Sequence, residues 1–129
     1  MIVEGKNSRS GVGNNLFDNA TLVQRIICPS RNAYSKIDEI ENEVLKNGQD
    51  KLILLMLGPT AKVLAKRLSK EGYQAIDLGH IDSEYEWFKM GVTYKVKLKH
   101  KHTAEHNFDE DIEFLEDEKY EHEIIACLI

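Results

Sequence analysis

Residues 51–57 (KLILLML) are almost entirely apolar and run directly into Gly58-Pro59-Thr60. A half-exposed strand alternates apolar and polar positions, whereas an unbroken apolar run fits a strand covered on both faces. Such a strand needs helices to cover it, and the flanking sequence supplies them. Pro59 suits a first helical turn, where its missing N–H costs nothing. From there to Lys70, Ala61, Leu64, Ala65 and Leu68 share one face. Gly72 stops that helix, and Tyr73 to Leu78 reads as the next strand. Upstream, Leu22 to Cys28 (LVQRIIC) reads as a strand ended by Pro29-Ser30. Asn32 to Lys46 then reads as a helix, with Ile37, Ile40, Val44 and Leu45 on one side and Gly48 as its stop. Strand, helix, strand, helix, strand is the signature of a parallel α/β fold with right-handed crossovers.

The remaining segments are less regular. Ile2-Val3 reads as a short strand, Gly5 to Asn15 as a glycine-rich loop, and Leu16 to Leu22 as a helical turn. Tyr94 to His102 places Lys95, Lys97, Lys99 and Lys101 on one face and Val96 and Leu98 on the other, as an exposed strand or extended loop. Residues 103–118 are acidic and poorly periodic, and Glu123 to Ile129 (EIIACLI) reads as a closing strand.

A chain of 129 residues suits one domain, 1–129, able to bury a core without a disulfide or metal staple. Residues 1–104 carry 16 Lys/Arg against 12 Asp/Glu, while residues 105–129 carry 1 against 10, giving a net −5. The acidic tail speaks against nucleic acid as a partner. No apolar run is long enough to span a bilayer, and the amino terminus has no secretion pattern. Cys28 and Cys127 lie in apolar surroundings and read as buried thiols of a cytoplasmic protein.

Three places have chemistry to offer. At the strand-to-helix junction Gly58-Pro59-Thr60, free N–H groups and the helix dipole attract phosphate, although every α/β domain has such turns. In Ser8-Arg9-Ser10-Gly11-Val12-Gly13-Asn14, the glycines permit close backbone approach and Arg9 suits bidentate phosphate binding. The third glycine of a dinucleotide fingerprint is missing there, so a flexible loop is an equal reading. Asp82, Glu84 and Glu86 crowd beside His80 just after a strand, where open α/β sheets bind ligands. If residues 81–90 are helical, Asp82 and Glu86 share a face, Glu84 points away, and Ile81, Tyr85 and Phe88 form the packed side. If the segment is extended, all three carboxylates point one way. Such oxygen ligands suit magnesium or manganese, but an acidic helix start is also favoured by the dipole alone. His100, His102, His106 and His122 read as surface residues, and the lysines at 95–101 as protection for an edge strand.

Taken together, Ile2-Val3-Glu4-Gly5, Ser8-Arg9 with Gly11-Val12-Gly13-Asn14, Leu16-Phe17-Asp18-Asn19-Ala20, Arg25-Ile26-Ile27-Cys28-Pro29, Leu57-Gly58-Pro59-Thr60-Ala61, Gly72-Tyr73-Gln74-Ala75-Ile76-Asp77 and Gly79-His80-Ile81-Asp82 with Glu84-Tyr85-Glu86-Trp87-Phe88 resemble the GT-D type bacterial glycosyltransferases. The likeness covers roughly residues 2–91. It implies a Rossmann-like parallel sheet flanked by helices, about half of a GT-D glycosyltransferase. Residues 1–91 would be the nucleotide-sugar-binding core and 92–129 a basic strand and acidic tail.

The resemblance further implies a UDP-hexose donor, a divalent cation (Mn2+ or Mg2+), a glycan acceptor on a surface glycoprotein or polysaccharide, and a cytoplasmic site of action. Family members are about twice as long, and their amino half carries a Phe-Gly-Asp-Gly-Glu element with the usual Asp-x-Glu metal motif. This chain lacks it, resembles the carboxyl half alone, and leaves the cation's ligands open to the missing half. On this reading Ser8, Arg9, Gly11, Gly13, Asn14, Gly58, Pro59 and Thr60 bind the nucleotide sugar. Asp82 and Glu84 hold the metal, Glu86 is the catalytic base, and His80 is next in line. The alternatives are a non-catalytic nucleotide-binding module and a self-associating interaction domain.

Overall fold

The computed structural model describes residues 1–105 and 109–129. The expectation for His106 falls outside that range. The elements in chain order are β1 (Ile2–Gly5), β2 (Arg25–Cys28), a 3-10 turn (Ala33–Lys36), α1 (Ile37–Asn47), β3 (Ile53–Met56), α2 (Pro59–Lys70), β4 (Ala75–Asp77), α3 (Ile81–Met90), α4 (Glu118–Glu123) and β5 (Ile124–Cys127). The five strands form one sheet in the order β4-β3-β1-β2-β5, and every pairing is parallel.

The register sorts the side chains. Val3 sits beside Ile26 and Leu55, and with Cys28 and Ile53 it faces α1 and α2. Ile37, Ile40 and Val44 of α1 and Ala61, Leu64 and Leu68 of α2 close that side as the main core. Burying one such side chain contributes about 1.5–3 kcal/mol, so this layer supplies most of the driving force. The other face is unusual. Glu4, beside Ile27 on β2, is completely buried. Arg25, the β2 residue beside Ile2, reaches it with Nη1 donating to Oε1 at 2.7 Å, and donates Nε–H to Glu123 at 2.7 Å. The Ser10 N–H donates to the second Glu4 oxygen at 2.8 Å. Tyr120 of α4 lies between Arg9 and Arg25, each guanidinium 4.6 Å from its ring centroid. Burial pushes the Tyr120 hydroxyl well above its usual range, with the Glu4 charge adding to the effect.

Three expectations need correction. Tyr94 to His102 is irregular, the loop alternative rather than the strand, and Lys101 is buried instead of guarding a strand edge. The packed side of α3 is Asp82, Ser83 and Trp87, while Phe88 is 78 % exposed. Trp87 wins that place because it packs with Leu98 and Ala104 and donates its indole N–H to the Val96 carbonyl at 2.8 Å. Cys127 is exposed, since edge strand β5 leaves alternate positions uncovered. Cys28 is buried, and burial, aided by the Glu4 charge, pushes its thiol up to about 12.

Two outcomes follow. Arg25→Ala strands a buried carboxylate and should cost about 3–5 kcal/mol in urea unfolding, whereas Glu4→Gln/Arg25→Met should recover most of that loss. Equal stability of Arg25→Ala and wild type would refute the role of the pair. With a thiol reagent at pH 8, one cysteine should react fast in the folded chain, and Cys127→Ser should abolish that phase.

Candidate functional site

A cavity of about 500 Å³ opens over the carboxyl ends of β1 to β4, where open α/β sheets bind ligands. The size is that of a small-molecule pocket. Its floor is built from Gly5 at the end of β1 with Ser8 and Ser10 beyond it, Pro29 and Ser30 after β2, Met56 at the end of β3 with 57–60 beyond it, and Gly79 and His80 after β4. Gly58 adopts φ 55°, ψ −140°, a region open to glycine, and places Pro59 in the first turn of α2. The first turns of α2 and α3 and the 3-10 turn after β2 all line this space.

One wall is a chain of hydrogen bonds. His102 Nδ1 lies 2.7 Å from Asp109 Oδ1, and Asn7 Nδ2 donates to Asp109 Oδ2 at 2.9 Å. The His102 backbone N–H donates to the Asn7 carbonyl at 2.7 Å. Burial alone would raise the Asp109 carboxyl, but the bonds from Asn7 and His102 outweigh it and hold the group below its usual range. With Asp109 ionised, Nδ1 is the ring nitrogen that donates in this bond, and Nε2 is the one left free of it.

The predicted residues divide between this cavity and its supports. Ser8, Gly58, Pro59, Thr60, His80 and Asp82 line it, whereas Arg9, Gly11, Gly13, Asn14, Glu84 and Glu86 do not. Arg9 turns away to donate to the Leu115 carbonyl at 2.5 Å and to stack on Tyr120, so it is committed to holding the carboxyl-terminal segment. Gly11 is required for packing, because a Cβ there would stand 2.7 Å from the Phe17 ring at φ +84°. Gly13 is exposed at φ 76°. Asn14 donates to Asp82 at 3.0 Å and to Glu86 at 2.5 Å.

Asp82 and Glu86 do share a face of α3, but Lys101 occupies the space between them, 2.9 Å from Asp82 and 3.2 Å from Glu86. The Gly11 N–H also donates to Asp82 at 2.8 Å. Glu84 points outward and meets only the His80 ring, 3.2 Å away, among the described residues. A helical α3 therefore separates Asp82 from Glu84, and an ammonium group already neutralises Asp82. The pair does not fit a divalent cation, and no cluster of three or more His, Cys, Asp or Glu ligands forms among the described residues. Glu86, tied to Asn14 and Lys101 away from the cavity, is likewise poorly placed as a base.

Sequence reasoning missed His102, Asp109 and Asn7. Asn7 and Asp109 are 102 positions apart, and no local pattern signals such a pairing. His102 is at the surface as expected, its side chain 41% exposed, and its pairing with Asp109 is what the sequence does not show.

The chain matches the family described as Glycosyltransferase GT-D fold over residues 1–106. It is 62% identical over 128 residues to a probable glycosyl transferase Gly of Streptococcus gordonii, covering 99% of this chain and 19% of that protein. It is 60% identical over 129 residues to Glycosyltransferase GlyD of Streptococcus pneumoniae serotype 4, covering 16% of the latter. Among solved structures, a glycosyltransferase (DUF1792) from Streptococcus sanguinis superposes with TM-score 0.97 at 64% identity, over 99% of this chain and 48% of its own. A domain of unknown function 1792 described as having a distinct glycosyltransferase fold gives 0.96 at 59%, over 98% and 46%. The chain thus spans about half the length of those solved chains and under a fifth of the two curated relatives. These shares support the expected half-length but not the carboxyl-terminal position expected for it. No helix among the described residues is long and apolar enough to cross a membrane.

The Asp109 bonds set a pH dependence. A carboxyl lowered in the fold contributes stability that is fully present above its unfolded value of about 4 and is lost as pH falls through the lower folded value. The gap in urea midpoint between wild type and Asp109→Asn should therefore be widest near neutral pH and close in acid. A gap independent of pH would count against the ionised bond.

Proposed function

The chain belongs to the Glycosyltransferase GT-D fold family, and from that premise we propose that it forms the nucleotide-sugar site of a glycosyltransferase. The donor in this reading is a UDP-hexose and the acceptor a glycan hydroxyl of a surface glycoprotein or polysaccharide, used on the cytoplasmic side. The observation that carries it is the cavity of about 500 Å³ over four parallel strand ends, lined by the first turns of α2 and α3. Backbone N–H groups at such turns suit the phosphate oxygens on which charge builds as the nucleoside diphosphate leaves.

In the transfer, the acceptor oxygen bonds to the sugar's anomeric carbon, the bond from that carbon to the phosphate oxygen breaks, and the hydroxyl proton must leave. His102 is the base we assign. Asp109 orients its ring, Nε2 is left to accept the proton, and both residues line the cavity. His80 also lines the cavity, and in this reading its ring donates a hydrogen bond to a phosphate or sugar oxygen. Lys101 holds α3 and the loop of Gly11 and Asn14 in register, with Asp82 and Glu86 as its anchors. Asp82, paired with Lys101, and Glu84, turned outward to His80, do not together offer a site for Mn2+ or Mg2+.

A second reading is favoured by length. The chain covers about half of the solved relatives, so it would bind the donor while transfer needs the remaining part.

Calorimetric titration with UDP-glucose, with and without manganese, should show binding in both conditions. No binding in either would defeat the donor-site reading. In a transfer assay, His102→Asn should lower turnover by about 10²–10⁴-fold with donor affinity unchanged, while Glu86→Gln should alter stability more than turnover. Equal turnover of His102→Asn and wild type would remove His102 from the base role, and donor binding without any turnover would favour the second reading.

A further inference from the structure

We infer that the β2 end of the cavity is a nucleobase subsite, with the Tyr34 ring as its stacking platform. The inference rests on the nucleotide-sugar reading and specifies how the donor lies. Tyr34 lines the cavity and is the one phenyl-type ring among the described lining residues, yet it is 53 % exposed. Leaving an aromatic face in water wastes its apolar area, and a base has a π-face to cover it.

The turn that carries the ring is fixed by hydrogen bonds. Asn32 takes a left-handed conformation (φ 50°, ψ 45°), and its carbonyl accepts from the Ser35 N–H at 3.1 Å and the Ser35 hydroxyl at 2.9 Å. Ala33, just before it, and Ile37, three residues on, are buried in the main core. Buried neighbours and a locked turn therefore present Tyr34 outward before any ligand arrives, which lowers the ordering cost of binding.

The surroundings suit a base edge. The side chains of Ser30 and Asn32 also line this end, and neither is bonded to another described residue. They offer donors and acceptors for ring nitrogens and carbonyls. The strand order puts the phosphate-favouring turns elsewhere. β2 and β3 flank β1 on opposite sides, so Pro29 to Tyr34 lie at one end and Gly58 to Thr60 and His80 toward the other. The donor then lies across the strand ends with its base on Tyr34, its diphosphate toward the α2 turn, and its sugar toward His80.

The test is calorimetry on the 129-residue chain with UDP, GDP and inorganic diphosphate, using wild type, Tyr34→Phe and Tyr34→Ala, each checked for folding by circular dichroism. Tyr34→Ala should weaken UDP binding about ten-fold or more. Tyr34→Phe should bind nearly as well as wild type, and inorganic diphosphate should bind all three alike. Relative affinity for UDP and GDP reports which base the Ser30 and Asn32 side chains prefer. Unchanged UDP affinity in Tyr34→Ala would overturn the subsite and leave the donor-site reading intact. Equal wild-type affinity for UDP and inorganic diphosphate would also overturn it. Absence of all binding by wild type would overturn both.

Discussion

The buried carboxylate of Glu4 governs how this molecule is assembled. A charge on a central strand, wholly removed from water, needs a counter-charge and hydrogen bonds, or the fold does not form. Arg25 supplies the charge from the adjacent strand and the Ser10 N–H caps the second oxygen. Burial raises the Glu4 carboxyl despite the opposing Arg25 charge. Burial alone would lower Arg25, but Glu4 and Glu123 outweigh it and hold the guanidinium above its usual range. The bond from Ser10 sets the path of the loop after β1. The bond from Arg25 to Glu123 brings in α4 and β5, and the two guanidinium groups enclose Tyr120. An apolar residue at position 4 would release that loop and the carboxyl-terminal segment from their shared anchor.

The cavity depends on that arrangement. The loop after β1 supplies Asn7, Ser8 and Ser10 to its lining. The next stretch of the same loop, Gly11 and Asn14, holds Asp82 and thereby the start of α3. Lys101 closes the set from the irregular segment that leads into His102 and on to Asp109. The acidic cluster that looks like a metal site in the sequence is thus the fastening of one wall, and the His102–Asp109 pair is carried by the segment it fastens.

The α/β fold and its helix boundaries were legible where local periodicity coincides with burial. Pro59 to Lys70 is helical as its pattern demands, and 51–57 contains the buried strand β3. The family likeness was legible too, because its motifs sit at strand ends and turns that the backbone itself requires. The direction of individual side chains was not. Arg9 looks like a phosphate ligand until Tyr120 and Leu115, more than a hundred residues on, are folded against it. Lys101 belongs to an alternating run, and only tertiary pairing with two carboxylates makes it a buried residue. Asp117 caps α4 by accepting from the Tyr120 N–H. That helix has only 6 residues, too few for a periodic signal to rise above its acidic surroundings.

The charge of the cavity bears on the ligand proposed for it. Its described lining holds His80, His102, Asp82, Glu105 and Asp109 but no lysine or arginine. A nucleoside diphosphate entering it meets carboxylates, and the favourable partners are backbone N–H groups at helix starts, which act over one turn only. Arg9 and Arg25, the buried guanidinium groups within the family-like region, are both spent on the fold. Lys101 is spent on Asp82 and Glu86. Among the described residues, the free positive charge near the cavity is the exposed Arg31, between the lining residues Ser30 and Asn32, whose field reaches Asp109. On the proposed donor-site reading, base stacking, backbone N–H groups and the Arg31 charge are what these residues offer a nucleotide.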